Sequence, residues 1–115
     1  MTSKSKQKGN RFERELVDFL NDIPNTYSER TWGSSGRSRG LPDEVDLVLD
    51  YYNLDLTIQA KNWKWESYPA GFRSFSKDLL TNVNIGIIKK ERDINNSLVI
   101  MNLDTLKKLM GSNND

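Results

Sequence analysis

The stretch Val45-Asp46-Leu47-Val48-Leu49-Asp50-Tyr51-Tyr52-Asn53-Leu54-Asp55-Leu56-Thr57-Ile58-Gln59-Ala60-Lys61 decides the fold. It reads as two apolar runs, 45–50 and 54–61, joined by a turn at Tyr51-Tyr52-Asn53. Side chains alternate faces along a strand, so Leu54, Leu56, Ile58 and Ala60 share one face, and Asp55, Thr57, Gln59 and Lys61 the other. In the first run Val45, Leu47 and Leu49 oppose Asp46, Val48 and Asp50. A hairpin about the turn sets Asp46 near Gln59, with Lys61 next along the same face as Gln59. Oxygen donors beside an ammonium can hold a divalent cation and present it to a phosphodiester. Asp55 shares the face of Gln59 but lies ~13 Å away along the strand, too far to join it. The plainer reading of the same spacing is a polar strand face in contact with water.

Working outward, residues 1–9 are polar and Lys/Ser-rich and are expected to form a flexible basic arm. Residues 10–110 are expected to form a single domain and 111–115 a frayed tail. Phe12, Leu16, Phe19, Leu20 and Ile23 recur at helical spacing behind Asn10, a candidate N-cap, and Pro24 marks the end. Residues 25–32 read as a strand and 33–40 as a basic Gly/Ser loop. A helix is expected over 67–80, strands over 85–89 and 98–101, and a short helix over 104–110. The order α-β-β-β-α-β-β-α belongs to a mixed α/β domain built around one sheet.

Composition narrows the chemistry. The 115 residues are 36% apolar and 29% charged, with neither cysteine nor histidine. Disulfides, thiolate metal sites, imidazole acid–base catalysis and the common zinc ligands are therefore excluded. A bound metal must be a hard cation held by oxygen, magnesium or manganese. No run reaches the ~18 apolar residues of a membrane span, and residues 1–8 lack the apolar core of a secretory signal. A cytoplasmic protein without membrane contact is expected.

The net charge is +1, but it is unevenly placed. Lys4, Lys6, Lys8, Arg11 and Arg14 face only Glu13 in the first fourteen residues. Arg30, Arg37 and Arg39 follow with Glu29, and then Asp43, Glu44, Asp46, Asp50 and Asp55 occur with no base among them. Basic patches around an acidic centre suit a protein that grips a polyanion and brings metal to it. A basic tail and a solvated loop account for the same charges without function. Trp63 and Trp65, with Lys64 between them, can form an aromatic and basic rim toward nucleic acid or pack beneath the following helix.

The opening Lys8-Gly9-Asn10-Arg11-Phe12-Glu13-Arg14-Glu15-Leu16-Val17 resembles that of the archaeal and phage Holliday junction resolvases, within the PD-(D/E)-x-K nuclease superfamily. Further matches are Arg30 ending the first strand, the loop Gly33-Ser34-Ser35-Gly36, the strand Asp46-Leu47-Val48, and Gln59-Ala60-Lys61 in place of acid-x-Lys. The likeness covers residues 8 to about 64. It implies a restriction-endonuclease-like α/β fold with a central mixed sheet flanked by helices. It also implies a homodimer that cuts four-way DNA junctions in symmetric pairs with Mg2+, for which Mn2+ can substitute. Glu13 and Asp46 would be metal ligands, Gln59 would offer its amide oxygen, and the Ala60 carbonyl would complete the shell. Lys61 would position the attacking water. Arg30, Ser34 and Ser35 would contact phosphates, and Lys4, Lys6, Lys8, Arg11, Arg37, Arg39, Trp63 and Lys64 would extend the DNA surface. Glu15 competes with Glu13, and Asp43 with Asp46. Gln59 departs from the family, whose residue there is acidic. That departure implies weaker metal binding, and leaves open an inactive DNA-binding protein or a nuclease for duplex or flap DNA. A small interaction protein is the remaining alternative. Ile85, Ile87, Val99 and Met101 are candidates for the dimer surface.

Overall fold

The computed structural model describes residues 4–31, 45–62, 77, 81–89 and 93–111, with side chains from Arg11 onward. Ser34, Ser35, Arg37, Arg39, Trp63, Lys64, the competing acid Asp43, and most of the expected 67–80 helix lie outside the described residues. So do the side chains of Lys4, Lys6 and Lys8.

The elements are α1 (Lys4–Asn21), β1 (Thr26–Arg30), β2 (Leu47–Tyr51), β3 (Leu54–Asn62), β4 (Ile85–Lys89), a 3-10 turn (Ile94–Asn96), β5 (Leu98–Met101) and α2 (Leu103–Gly111). The protein is a mixed α/β fold. The five strands among the described residues lie in sequence order, with β3 and β4 parallel and the other neighbours antiparallel. A parallel pair requires a crossover, which falls between Asn62 and Ile85 in the chain. Among the described residues no helix is long and apolar enough to cross a membrane.

The β2–β3 hairpin forms where the alternation placed it. Tyr52 and Asn53 have φ of 50° and 65°, the pair of positive angles of a two-residue hairpin turn whose twist matches its strands. Asp50 supports the turn by accepting the Asn53 amide at 2.9 Å. The register pairs Leu47 with Ile58 and Leu49 with Leu56, so these four leucine and isoleucine side chains stack on one face. Phe12 and Leu16 of α1 cover them, together with Ile85 and Ile87 from β4.

Four expectations change. The first helix begins at Lys4, six residues before Asn10, so the basic residues 4–9 form its first turns. Ser, Lys and Gln are adequate helix formers, and one Gly at position 9 costs only ~1 kcal/mol. Phe19 and Ile23 are exposed although they fit the helical spacing, because α1 turns only Phe12, Leu16 and the flanks of Val17 and Leu20 onto the sheet. Ile85 and Ile87 belong to the core and are withdrawn as dimer contacts. The face of Gln59 is not a watery one: Val45, Val83 and Ile88, flanked by Val48 and Ile100, form a second apolar cluster. Ile58→Ala should accordingly cost about 2–5 kcal/mol of unfolding free energy, and Ile23→Ala well under half as much. Urea titration checks this, and equal losses would contradict the assigned core.

Candidate functional site

Asp46 stands immediately before the first residue of β2, beside the part of β3 that runs on past the β2 ladder. Its backbone amide donates to the Ile58 carbonyl at 2.9 Å and its carbonyl accepts the Thr31 amide at 3.0 Å. Thr31 Oγ1 in turn donates to the Val45 carbonyl. The side chain makes the contact that matters: Oδ2 accepts the Ala60 amide at 2.9 Å. Face alternation breaks here, since Leu47 packs under α1 while Val45 joins the opposite cluster. The Asp46 carboxylate thus replaces the main-chain acceptor that a longer β2 would have offered. Strand N–H groups lie in the sheet plane, so the carboxylate oxygen that accepts the Ala60 amide lies near that plane. A strand residue's N–H and C=O point to the same edge, so the Ala60 carbonyl is also turned toward Asp46.

From the α1 face comes Glu13. Its Oε1 accepts from Arg30 Nε at 3.3 Å, and both side chains are largely buried. Glu15 sits on the opposite flank of the Phe12–Leu16 stripe and pairs with Lys89 of β4 at 3.2 Å. Lys89 Nζ also lies 5.6 Å from the centre of the Phe12 ring. Two residues along a helix is about 200° of rotation, so the two glutamates cannot face the same neighbour. That choice falls to Glu13. Lys89 escaped the sequence reading because nothing local marks a strand-end lysine as a helix partner.

From the other face come Gln59 and Lys61. The Asp46 amide bonds to Ile58, already the partner of Leu47, so the strand takes an extra residue here. The register does not carry on to set Gln59 opposite Asp46 as the alternation predicts, and Gln59 lies on the face of Val45 and Ile88. Gln59 is only 5% exposed, and its Oε1 has no hydrogen-bond partner. An unpartnered buried amide oxygen costs ~1–3 kcal/mol. Lys61 is half-buried, and its positive field acts on both acids.

The electrostatics follow from burial. Desolvation raises the Asp46 pKa from 3.8 to about 6, the Ala60 amide opposes the rise, and the negative field of Glu13 adds to it. Lys61 and Arg30 lower it less. Glu13 is also raised by burial, against the pull of Arg30 and Lys61. Two desolvated carboxylates close enough to repel are a pair of donors suited to a hard cation, and the Gln59 amide oxygen lies unpartnered on the other face of β3. The donor chemistry therefore fits magnesium or manganese. Among the described residues no group of three acidic, His or Cys side chains converges, so the charge on offer is that of Glu13 and Asp46.

The structure brings Glu13, Arg30, Asp46, Ala60 and Lys61 together, and leaves Gln59 on the other face of β3 with no contact to Asp46. Arg30, expected on phosphate, is turned to Glu13 and holds it. Arg11 is exposed on α1. Asp55 pairs across from Asp50, well removed from Asp46, and with Glu29 edges a separate cleft of about 390 Å3. Comparison with protein-family models, curated proteins and solved structures returns no match.

The raised Asp46 pKa carries a stability consequence. The folded state holds this proton more tightly than the unfolded chain, so the group's contribution is fully present below about pH 3.8 and is lost as pH rises through about 6. The loss amounts to on the order of 2–3 kcal/mol. Asp46→Asn keeps an acceptor for the Ala60 amide without the charge. It should melt above wild type at pH 7 and level with it near pH 3.5, as read by thermal denaturation at both pH values. A variant less stable than wild type at pH 7 would contradict the desolvation argument.

Proposed function

We propose that this chain is a magnesium-dependent DNA endonuclease of the Holliday junction resolvase type, with the restriction-endonuclease-like fold, acting as a homodimer on four-way junctions. The observation that carries the reading is the Asp46 carboxylate held on the Ala60 amide, with Glu13 on one side and Lys61 on the other. The strand order supports it: a helix, a three-strand meander, then a parallel strand reached by crossover, which orders the elements as the family does. The exposed Arg11, and the basic sequence at the start of α1, carry the positive charge that phosphate binding needs.

In this reading Asp46 and Glu13 hold the cation, and the Gln59 amide oxygen and Ala60 carbonyl add neutral donors. Bound Mg2+, or Mn2+ in its place, supplies charge neutralisation at the scissile phosphate and makes water more acidic. Lys61 orients the attacking water and stabilises charge gathering on the phosphate. Arg30 holds Glu13 in place and opposes the rise of its pKa by burial. A Gln where the family has an acid leaves two negative charges for a divalent ion, which balances one cation without excess. Because Asp46 must be ionised to bind it, cleavage should rise with pH through the range around 6.

A second reading is favoured by the same count of two carboxylates: a DNA-binding protein that has lost cleavage. One experiment separates the two. Purified protein with magnesium is incubated with a four-way junction, a flap and a linear duplex. The nuclease reading expects paired nicks in opposing strands of the junction, abolished by Asp46→Asn and by Lys61→Ala with binding retained. Gln59→Glu should keep or raise the rate and lower the magnesium required. Junction binding without nicks at any magnesium or manganese concentration would establish the second reading, and uncoupled nicks of equal rate in all three substrates would make it a general nuclease.

A further inference from the structure

We propose that Thr31 is a positioning residue of the site: its hydroxyl holds the Val45 carbonyl away from β3, and so leaves the Ala60 amide to the Asp46 carboxylate. The consequence for a bound cation rests on the nuclease reading above. The exchange of hydrogen-bond partners does not.

The exchange takes place where β2 begins. In the hairpin, Tyr51 and Leu54 flank the two-residue turn and form a doubly bonded pair, which recurs at Leu49 with Leu56 and at Leu47 with Ile58. Two residues further on, the same ladder would pair Val45 with Ala60, the Ala60 amide donating to the Val45 carbonyl. The Ala60 amide instead donates to Asp46 Oδ2 at 2.9 Å, and the Val45 carbonyl accepts from Thr31 Oγ1. Each main-chain group has exchanged its ladder partner for a side chain.

The backbone of Asp46 carries the same rearrangement. A regular strand residue turns its N–H and C=O to one neighbour. Asp46 turns its amide to the Ile58 carbonyl of β3, at 2.9 Å, and its carbonyl to the Thr31 amide, at 3.0 Å. Leu47 already faces Ile58, so two residues of one strand oppose one of the other, the pattern of a β-bulge. A bulge re-aims a side chain. In an unbroken ladder Asp46 would share the face of Gln59; here its carboxylate reaches the Ala60 amide and the field of Glu13.

Burial makes the Thr31 hydroxyl decisive. Thr31 is 8% exposed and Val45 4%, so water is not the alternative donor to the Val45 carbonyl. A buried carbonyl needs a donor. Without the hydroxyl, the ladder's own donor is the Ala60 amide, which Asp46 then loses. Adjacent residues thus hold the two acids: Arg30 through its ion pair with Glu13, and Thr31 through the bulge at Asp46.

The test identifies the acceptor of the Ala60 amide by NMR, from the coupling across the hydrogen bond between its nitrogen and the acceptor carbon. In wild type that carbon should be the Asp46 side-chain carboxyl. Thr31→Val keeps the shape without the hydroxyl, and should move the coupling to the Val45 carbonyl. Thr31→Ser keeps the hydroxyl, and should leave the coupling on Asp46. Coupling to Val45 in wild type, or any acceptor but Val45 in a folded Thr31→Val, overturns the proposal. Should Thr31→Val fail to fold, Asp46→Ala approaches the same exchange from the other side. Its Ala60 amide should couple to Val45, and a lack of that coupling overturns the exchange. In the cleavage assay, the magnesium needed for half-maximal rate should rise ~10–100-fold in Thr31→Val and stay near wild type in Thr31→Ser. An unchanged requirement in Thr31→Val overturns its role at the site. Neither metal nor DNA enters the couplings, so a failure of the nuclease reading and a failure here remain distinct.

Discussion

The bond between the Asp46 carboxylate and the Ala60 amide is the contact on which the site depends. It sets the N-terminal limit of β2, because a side chain has taken the ladder position of a main-chain carbonyl. It also holds a charge in a desolvated notch at the exposed end of β3. A freely rotating aspartate at the same position would relax into water and keep an ordinary pKa. Here the carboxylate is immobilised by its own backbone bonds to Ile58 and Thr31 and cannot escape the field of Glu13. A net cost to the fold follows, and costs of this kind collect at functional sites.

The rest of the domain sustains that cost. Phe12 and Leu16 bury one stripe of α1 on the sheet, and the ion pairs Glu13–Arg30 and Glu15–Lys89 lie on the two flanks of that stripe. Together they fix the rotation of α1 about its axis, which decides which glutamate meets Asp46. Asn21 performs a related service at the other end of the helix. It donates to the Ser28 carbonyl at 3.0 Å and accepts the Ser28 amide at 2.7 Å, so it occupies the outer edge of β1. Edge strands left unpaired invite other strands. Burial supplies the energy, and the polar pairs supply the orientation.

Much of this was legible in the sequence because it rests on periodicity. The β2–β3 hairpin, its register and the inward set Leu56, Ile58 and Ala60 follow from alternation alone, and the two later strands from short apolar runs. The hairpin arithmetic that sets Asp46 opposite Gln59 fails at Asp46, where an extra residue lies against Ile58. What could not be read depends on contacts distant in the chain. Nothing near Lys89 announces Glu15, and nothing near Arg30 announces Glu13. The burial of Gln59 was hidden because a strand that reads as apolar on one face and polar on the other gives no sign that the polar face is covered as well. Asn10 looked like a cap because its side chain can serve as one, yet the preceding residues are helix-competent and the helix runs through it.

The central claim is that Glu13 and Asp46 hold a divalent cation. Its most direct test is the melting temperature of the wild-type chain and of Asp46→Asn as magnesium or manganese is titrated at constant ionic strength. A ligand that binds only the folded state stabilises it by about 2.7 kcal/mol at one hundred times its dissociation constant. The account predicts a saturable rise for wild type and none for Asp46→Asn. A flat wild-type response, or the same rise in both proteins, would contradict it.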